Sequence, residues 1–510
     1  MQVRKVFTII AIVFIFMASL FSTSAFAAAE IQERKDGSGL YLLRVERQGM
    51  EDLSTFLASG VPVVMEMRLS LFVEGNDEHL RWLNENGYQT TILHDDPASS
   101  DYFVIGLRSD SDMDAIHALG TILHEEENWI LVRVDRDTSF ETLEGARVFV
   151  SRMPHEAMKT PRENDRWNKW KSSRQSGDPA ASAESSLGPA NPLVQKIVDQ
   201  VKTADIDKFW QDLTDNPPTG TRYSTHQGCR DAAAYCKNHY ESKKLPVIYQ
   251  DWNPSHAPNV VATQEGGLYP DQIYITEGHL DDLPATPPAP GANDNASGSV
   301  TVLESSQVMS CWAFKSTVKY LNVTGEEQGL LGSNYYADDA LAKGENILGV
   351  INMDMNGWEG DGIPNPENLD VNYNGPSQWL GELFDECSVK YNTGLVVDDF
   401  YCPSLTVSDH YPFWQNGYPA ICGITDNEGY CGHGGNYPYY HQSTDTIANC
   451  GDPSLFYAAI RTSIATLSEM AEPFKITMTK PYYACGADIG LLVGDRDLNA
   501  DPGMQETVTV

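Results

Sequence analysis

The sequence predicts an α/β protein: a mainly parallel, twisted sheet flanked by helices, preceded by a separate small α/β domain. Three observations carry this. Between residues 193 and 472, strand-length apolar runs alternate with runs of helical spacing, the order that crossover helices impose on a parallel sheet. A stretch rich in Ser, Ala, Gly and Pro, residues 171–192, has no apolar period and divides the chain. The length of 510 residues also exceeds the roughly 250–300 that one hydrophobic core holds together.

In chain order, the first element is a targeting signal. Arg4 and Lys5 precede an uncharged run, 6–21, and then Ser22-Thr23-Ser24-Ala25-Phe26-Ala27, with small residues at −3 and −1 of a cleavage site. A membrane anchor is the competing reading, but the run falls short of the ~20 apolar residues that a span needs. Residues 1–27 therefore read as a signal peptide, and the mature chain as secreted or periplasmic, with no stable membrane insertion. Residues 28–170 mix strand patterns (63–73, 102–107, 129–134) with short helices (77–86, 112–119). Their histidines, His79, His94, His117, His124 and His155, are scattered, so this accessory or propeptide domain shows no ligand cluster. No internal repeat is visible. After the linker 171–192, Leu193, Val194, Ile197, Val198 and Val201 resume at helical spacing. Strands are expected at 246–252, 259–263, 272–276, 317–323, 347–354 and 419–424. Helices are expected at 299–310, 328–341, 378–391 and 455–471, closing a domain of residues 193–472. Residues 473–510 read as a β-like tail.

Composition narrows the function. Thirty-five Lys and Arg face 71 Asp and Glu, a formal charge of −36. With no basic surplus to displace counterions, nucleic acid is not a partner. Hydrophobic residues at 41% and charged residues at 21% exclude a disordered chain. All nine cysteines lie between Cys229 and Cys485, and export favours their pairing. Spacing suggests Cys229 with Cys236 and Cys422 with Cys431; an odd count leaves at least one unpaired.

Acids and imidazoles collect at the expected strand ends, where α/β sheets build their sites. Strand 272–276 runs into Gly278-His279-Leu280-Asp281, and Pro290-Gly291-Ala292-Asn293-Asp294-Asn295 follows. Strand 317–323 runs into Gly325-Glu326-Glu327, strand 347–353 ends on Asp354, and Tyr440-His441-Gln442-Ser443-Thr444-Asp445 comes last. Taken singly, each has a plain structural explanation as a helix cap, a first-turn acid or a hydrogen-bonded histidine. Together and in this order they resemble the zinc aminopeptidase family M28. The resemblance rests on His279-x-Asp281, Gly-Ala-Asn-Asp294, Glu326-Glu327-x-Gly-Leu-Leu-Gly-Ser333, Asp354 and His441, extended by Thr221-Arg222-Tyr223, Ser408-Asp409-His410 and Gly417-Tyr418-Pro419-Ala420. It covers residues 193–470, about half the chain; nothing in residues 30–170 contributes.

The resemblance implies two zinc ions sharing one carboxylate. Asp294 bridges, His279 and Asp354 complete one ion, and Glu327 and His441 complete the other. The donor chemistry agrees, since zinc accepts neutral imidazole and carboxylate and a catalytic ion keeps a position open for water. Asp281 is placed to accept the other ring N–H of His279 and fix its tautomer. Glu326 is the implied general base, activating a metal-bridging water and handing its proton to the leaving amine. Relatives use a tyrosine as oxyanion donor. Tyr401 is the candidate here, though it stands eight residues before Asp409, and the nearer Leu405 cannot donate. Asn295 replaces a second Asp carried by many relatives. His410 is expected in the site wall and His433 in an exposed loop.

The implied activity is that of a secreted, monomeric dizinc aminopeptidase acting on peptides. Alternatives of the same fold are a carboxypeptidase, which needs a basic clamp for which Arg222 is the candidate, and a glutaminyl cyclase-like enzyme, which uses one zinc. A non-catalytic binding module would have lost Glu326 or a ligand. Trp358, Phe413 and Trp414 suggest an apolar substrate preference. Calcium is kept on two partial patterns. Asp370-x-Asn372-x-Asn374-Gly375 starts like an EF-hand loop but has Gly381 at the twelfth position, and Asp495-x-Asp497-x-Asn499-x-Asp501 lacks the glycine.

Overall fold

A computed structural model describes residues 39–49, 52–107, 113–126, 128–136, 148–159, 189–215, 220–360, 368–425, 437–478 and 491–494. The signal peptide, linker residues 171–188, Cys431, His433, Cys485 and residues 495–501 lie outside these.

The N-terminal region holds two four-stranded antiparallel sheets. Strands β1 (Leu40–Glu46), β2 (Val63–Glu66), β3 (Ser70–Asn76) and β4 (Thr90–His94) lie in the order β2-β3-β1-β4. Strands β5 (Ser100–Gly106), β6 (Thr121–Glu126), β7 (Trp129–Asp135) and β8 (Phe149–Arg152) lie in the order β6-β7-β5-β8. Matched strand for strand, the two sheet orders coincide, and the first unit, with helices Asp52–Ser59 and Asp77–Glu85 between its strands, is of the split βαβ type. The sequence conceals the match because topology needs only a shared apolar alternation, not shared residues. The expected single strand at 63–73 is a hairpin, closed by Met67 N–H donating to Ser70 O at 2.8 Å. Its turn carries no Gly or Pro to mark it.

The larger region is built on eight strands. After β9 (Val247–Gln250), β10 (Asn259–Gln264) and β11 (Tyr269–His279) comes the two-residue β12 (Ala313–Phe314). Then follow β13 (Ser316–Val323), β14 (Asn346–Met353), β15 (Asn368–Tyr373), β16 (Val396–Tyr401) and β17 (Ala420–Ile424). The sheet order is β16-β15-β17-β14-β11-β13-β10-β9. Strands β17, β14, β11 and β13 run parallel, and the flanks turn antiparallel where β10 meets β13 and β15 meets β17. The parallel centre is buried on both faces, as crossover helices require. Helix Gly298–Met309 follows the Asp294 loop and packs beside Ser454–Ala471. Strands β18 (Pro473–Met478) and β19 (Leu491–Gly494) form a small sheet with β12.

Two expectations fail for geometric reasons. The calcium pattern at Asp370–Asn374 is not a loop: residues 370–373 lie in β15, and the Asn374 side chain accepts from Ser377 N–H to cap a short 3-10 turn. Cys229 and Cys236 are both free, seven residues apart on helix Gln227–Ser242. That separation is about 10 Å of helix rise, beyond the reach of a disulfide. Cys422 is also free, inside β17, where its sulfur accepts from Asn352 Nδ2 at 3.7 Å. Cys402 is disulfide-bonded. No helix among the described residues is long and apolar enough to cross a membrane.

The N-terminal region does not hang free. Met65, Tyr102 and Trp129 share one contiguous apolar cluster with Met355, Leu405 and Tyr440 of the larger region. Lys159 N–H donates to Gln415 O at 2.8 Å across the same boundary.

Candidate metal centre

The parallel strands bring the predicted acids and imidazoles to one place. His279 is the last residue of β11, Asp354 follows β14, and the Glu326-Glu327 turn follows β13. These are adjacent parallel strands, so their carboxyl ends lie side by side. The Asp294 loop enters from the crossover that begins helix Gly298–Met309. Its first residue, Gly291, has φ +49, and a Cβ there would lie 2.6 Å from Asp282 Cβ and 2.7 Å from Arg222 Nη2. Only glycine fits. His441 arrives on a separate loop, stacked on Tyr440 at 3.6 Å between ring centroids.

The two carboxylate oxygens of Asp294 face different partners. Oδ1 lies 3.4 Å from His279 Nε2, and Oδ2 lies 3.3 Å from His441 Nε2. His279 Nε2 is also 3.4 Å from Asp354 Oδ1, and His441 Nε2 is 2.9 Å from Glu327 Oε2. Two ligand groups result, His279-Asp294-Asp354 and Asp294-Glu327-His441, each with its donor atoms within 4.8 Å of one another. His279 with Glu326 and Glu327 forms a third, overlapping group. His279 Nε2, Asp354 Oδ1 and Glu327 Oε1 are buried with no hydrogen-bond partner. Orphaned polar atoms on members of both ligand groups are what bound cations would satisfy, and imidazole with carboxylate is the donor set that zinc accepts.

The electrostatics favour positive charge. Burial opposes charge on His441, but Glu327 and Asp294 outweigh it and push its pKa up to about 10. Burial likewise opposes charge on His279, yet Glu326, Asp354 and Asp294 hold its pKa well above the ordinary value. Burial pushes Glu327 up to about 8, with Asp294 adding to it. Burial and the nearby Asp409, Glu327 and Asp354 carboxylates raise Glu326 well above the carboxylate range, against the pull of His279. For Asp294, burial is overcome by its two histidine partners, and its pKa falls well below normal.

A surrounding layer holds these groups in place. Ser408 Oγ donates to Asp354 Oδ2 at 2.6 Å and accepts from Asn352 Nδ2 at 2.7 Å. His279 Nδ1 lies 3.1 Å from the main-chain oxygen of Asp281, whose carboxylate stands off at 3.7 Å. The Asp281 carboxylate instead accepts from Glu326 N–H at 3.3 Å and Glu327 N–H at 3.2 Å. Asp281 thus fixes the imidazole with its backbone and the Glu-Glu turn with its side chain, which corrects the expected division of labour. Asn295 keeps more than a residual bond: Nδ2 donates to Met353 O at 3.1 Å and Oδ1 accepts from Met355 N–H at 3.2 Å. An aspartate could accept but not donate there. His410 Nε2 bonds Leu405 O at 2.7 Å and packs edge-on to Trp414, and burial lowers its pKa to about 3. Among the described residues it joins none of the ligand groups.

Three expectations are corrected. Tyr401, the candidate oxyanion donor, has its hydroxyl committed elsewhere. It sits on the edge strand β16, and its hydroxyl donates to Glu66 Oε1 of the N-terminal region at 2.8 Å, beneath the Arg47 guanidinium. Arg222 cannot clamp a substrate carboxylate. It is fully buried, donating to the carbonyls of Leu213, Leu280, Pro290 and Gly291 and paired with Asp282 at 3.3 Å. Phe413 and Trp414 belong to the core, while Trp358 packs against Tyr437. Sequence reasoning gave no role to Asp445, which accepts from the Asn293 and Asp294 N–H groups at 2.9 Å each. Its place four residues after His441 was the available signal.

Comparison with known proteins agrees with this geometry. Residues 259–466 match the model of peptidase family M28. A probable zinc metalloprotease from Leptosphaeria maculans is 31% identical over 305 residues, covering 50% of this chain and 68% of the relative. A probable leucine aminopeptidase from Arthroderma otae is 30% identical over 201 residues, 38% of this chain and 51% of the relative. Among solved structures, the LapA aminopeptidase and LapB of Legionella pneumophila each superpose with a TM-score of 0.53 at 18% identity. They cover 73% of this chain and 99% and 100% of theirs, a likeness of fold. With ligand sets, sequence and fold in agreement, the chain belongs to peptidase family M28 and is a metallopeptidase.

Proposed function

We propose that the chain is a secreted aminopeptidase holding two zinc ions, one between His279, Asp294 and Asp354 and the other between Asp294, Glu327 and His441. The observation that carries this is the split of Asp294, one oxygen to each histidine. Zinc bound there would polarise the scissile carbonyl and lower the pKa of water. The remaining work falls to the chain. Glu326 Oε2 lies 3.9 Å from His279 Nε2, beside the ligand atoms. From there it can take a proton from the attacking water and return it to the leaving amine. Asp281 keeps the Glu326 and Glu327 backbone in register, and Ser408 keeps Asp354 turned inward. The burial of Arg222 removes the basic clamp that a carboxypeptidase would use. A panel of aminoacyl-nitroanilides tests the reading, beside one N-blocked and one C-amidated peptide. Free-amine and C-amidated substrates should be cleaved, the N-blocked one spared, and chelator should abolish turnover until zinc is restored. Cleavage of the blocked peptide, or indifference to chelator, overturns it.

The N-terminal region is proposed as a propeptide that restrains this site until the 171–192 linker is cut. Its apolar cluster includes Met355, next to Asp354, and Tyr440, next to His441, so it is packed against residues that flank two proposed ligands. Its Arg47-Glu66 pair is buried at 2.5 Å and receives the Tyr401 hydroxyl. Limited proteolysis followed by separation of the fragments should raise kcat/KM of the fragment beginning near Leu193. Adding the N-terminal fragment back should lower it again. Unchanged kcat/KM with no inhibition on add-back would make the region an accessory module.

A further inference from the structure

We infer that Asp445 is the positioning residue that fastens the His441 loop to the Asp294 loop and so assembles the Asp294-Glu327-His441 ligand group. Asp445 is fully buried, and its carboxylate is fully used. Oδ1 accepts from Asn293 N–H at 2.9 Å and from Tyr437 Oη at 2.5 Å, and Oδ2 accepts from Asp294 N–H at 2.9 Å. Its main-chain oxygen accepts from Ala292 N–H at 3.2 Å. Three consecutive N–H groups of the Asp294 loop thus end on one residue of the His441 loop. Tyr437, at the other end of that loop, is gathered by the same carboxylate.

The opposite half of the centre has separate fastenings. Asn293 Oδ1 accepts from Gly357 and Trp358 N–H at 2.8 and 3.0 Å, and Asn295 bonds Met353 O and Met355 N–H on either side of Asp354. Losing the Asp445 carboxylate therefore leaves the Asp294-Asp354 pairing tied while freeing the His441 loop. A carboxylate is required because both backbone partners and the phenol are donors. An amide at this position would turn an NH2 toward one of them, leaving a buried donor unsatisfied.

The inference rests on the proposed pair of metal sites, and one experiment separates the two. Zinc is titrated calorimetrically into the metal-free parent, Asp445→Asn and Tyr437→Phe, with thermal melts of the metal-free proteins alongside. If the parent binds a single equivalent, the two-ion reading fails whatever the variants do. With two equivalents in the parent, Asp445→Asn should keep one at parental affinity and weaken the other by roughly 10–100-fold, the usual cost of losing an outer partner. Tyr437→Phe, which keeps both backbone hydrogen bonds, should weaken the same equivalent by less. Parental affinity for both equivalents in Asp445→Asn, or equal weakening of both, overturns the inference. Should Asp445→Asn fail to fold, Tyr437→Phe decides. Selective weakening supports the assignment, and unchanged binding ends it.

Discussion

Asp294→Ala is expected to emerge from dialysis with almost no zinc and no measurable turnover, a larger loss than any other single ligand change produces. The reason is its double role. Its two oxygens face His279 and His441 separately, so alanine removes one donor from each proposed site at once and leaves each with two protein ligands. The loss should exceed the roughly 10–100-fold that removing a supporting residue costs. The loop itself should survive, because Asn293, Asn295 and Asp445 hold it through groups that alanine does not touch. A second readout needs no metal. Asp294 is one of the groups that raise the pKa of both histidines, so its removal should shift both downward, toward the ordinary imidazole value. Proton titration of the metal-free protein by NMR would register this. Two zinc ions per chain retained by the variant would place the bridge elsewhere.

The proposed ligands were legible in the sequence because their motifs, taken in order, resemble those of family M28, and the strand pattern set three of those motifs at expected strand ends. The structure supplies the adjacency of β11, β13 and β14 that brings His279, Glu326-Glu327 and Asp354 together. What stayed hidden has physical causes. Strand β15 escaped because Asn368, Asp370 and Asn372 look like loop residues, yet each is buried within the strand. Tyr401 was misread because its partner lies 335 residues away in another region, and no local spacing encodes such a contact. Asp445 and Arg222 act through main-chain groups. Their partners depend on the path of the loop rather than on residue type, so only coordinates reveal them. The cysteine pairs failed because proximity in sequence is not proximity of Cβ vectors. Residues seven apart on a helix share a face but not a bond length.

Glu326→Gln is expected to hold zinc as tightly as the parent and to lose about 10²–10⁴-fold in kcat, the range for a missing general base. The two effects separate because Glu326 belongs to neither of the groups that share Asp294. Its Oε2 stands 3.9 Å from His279 Nε2, farther than the Asp294 and Asp354 oxygens at 3.4 Å. Glutamine keeps the length of the side chain and can still hydrogen-bond, so KM should change little, but it cannot accept the proton that the reaction must move. The neighbouring Glu327 cannot substitute, since its Oε2 is engaged by His441 at 2.9 Å. The main-chain N–H groups of both glutamates stay anchored on Asp281, so the turn should not move. Metal analysis with steady-state kinetics on the same preparation decides the matter. Full zinc content with unchanged kcat removes Glu326 from proton transfer, and loss of zinc with kcat makes it a ligand instead.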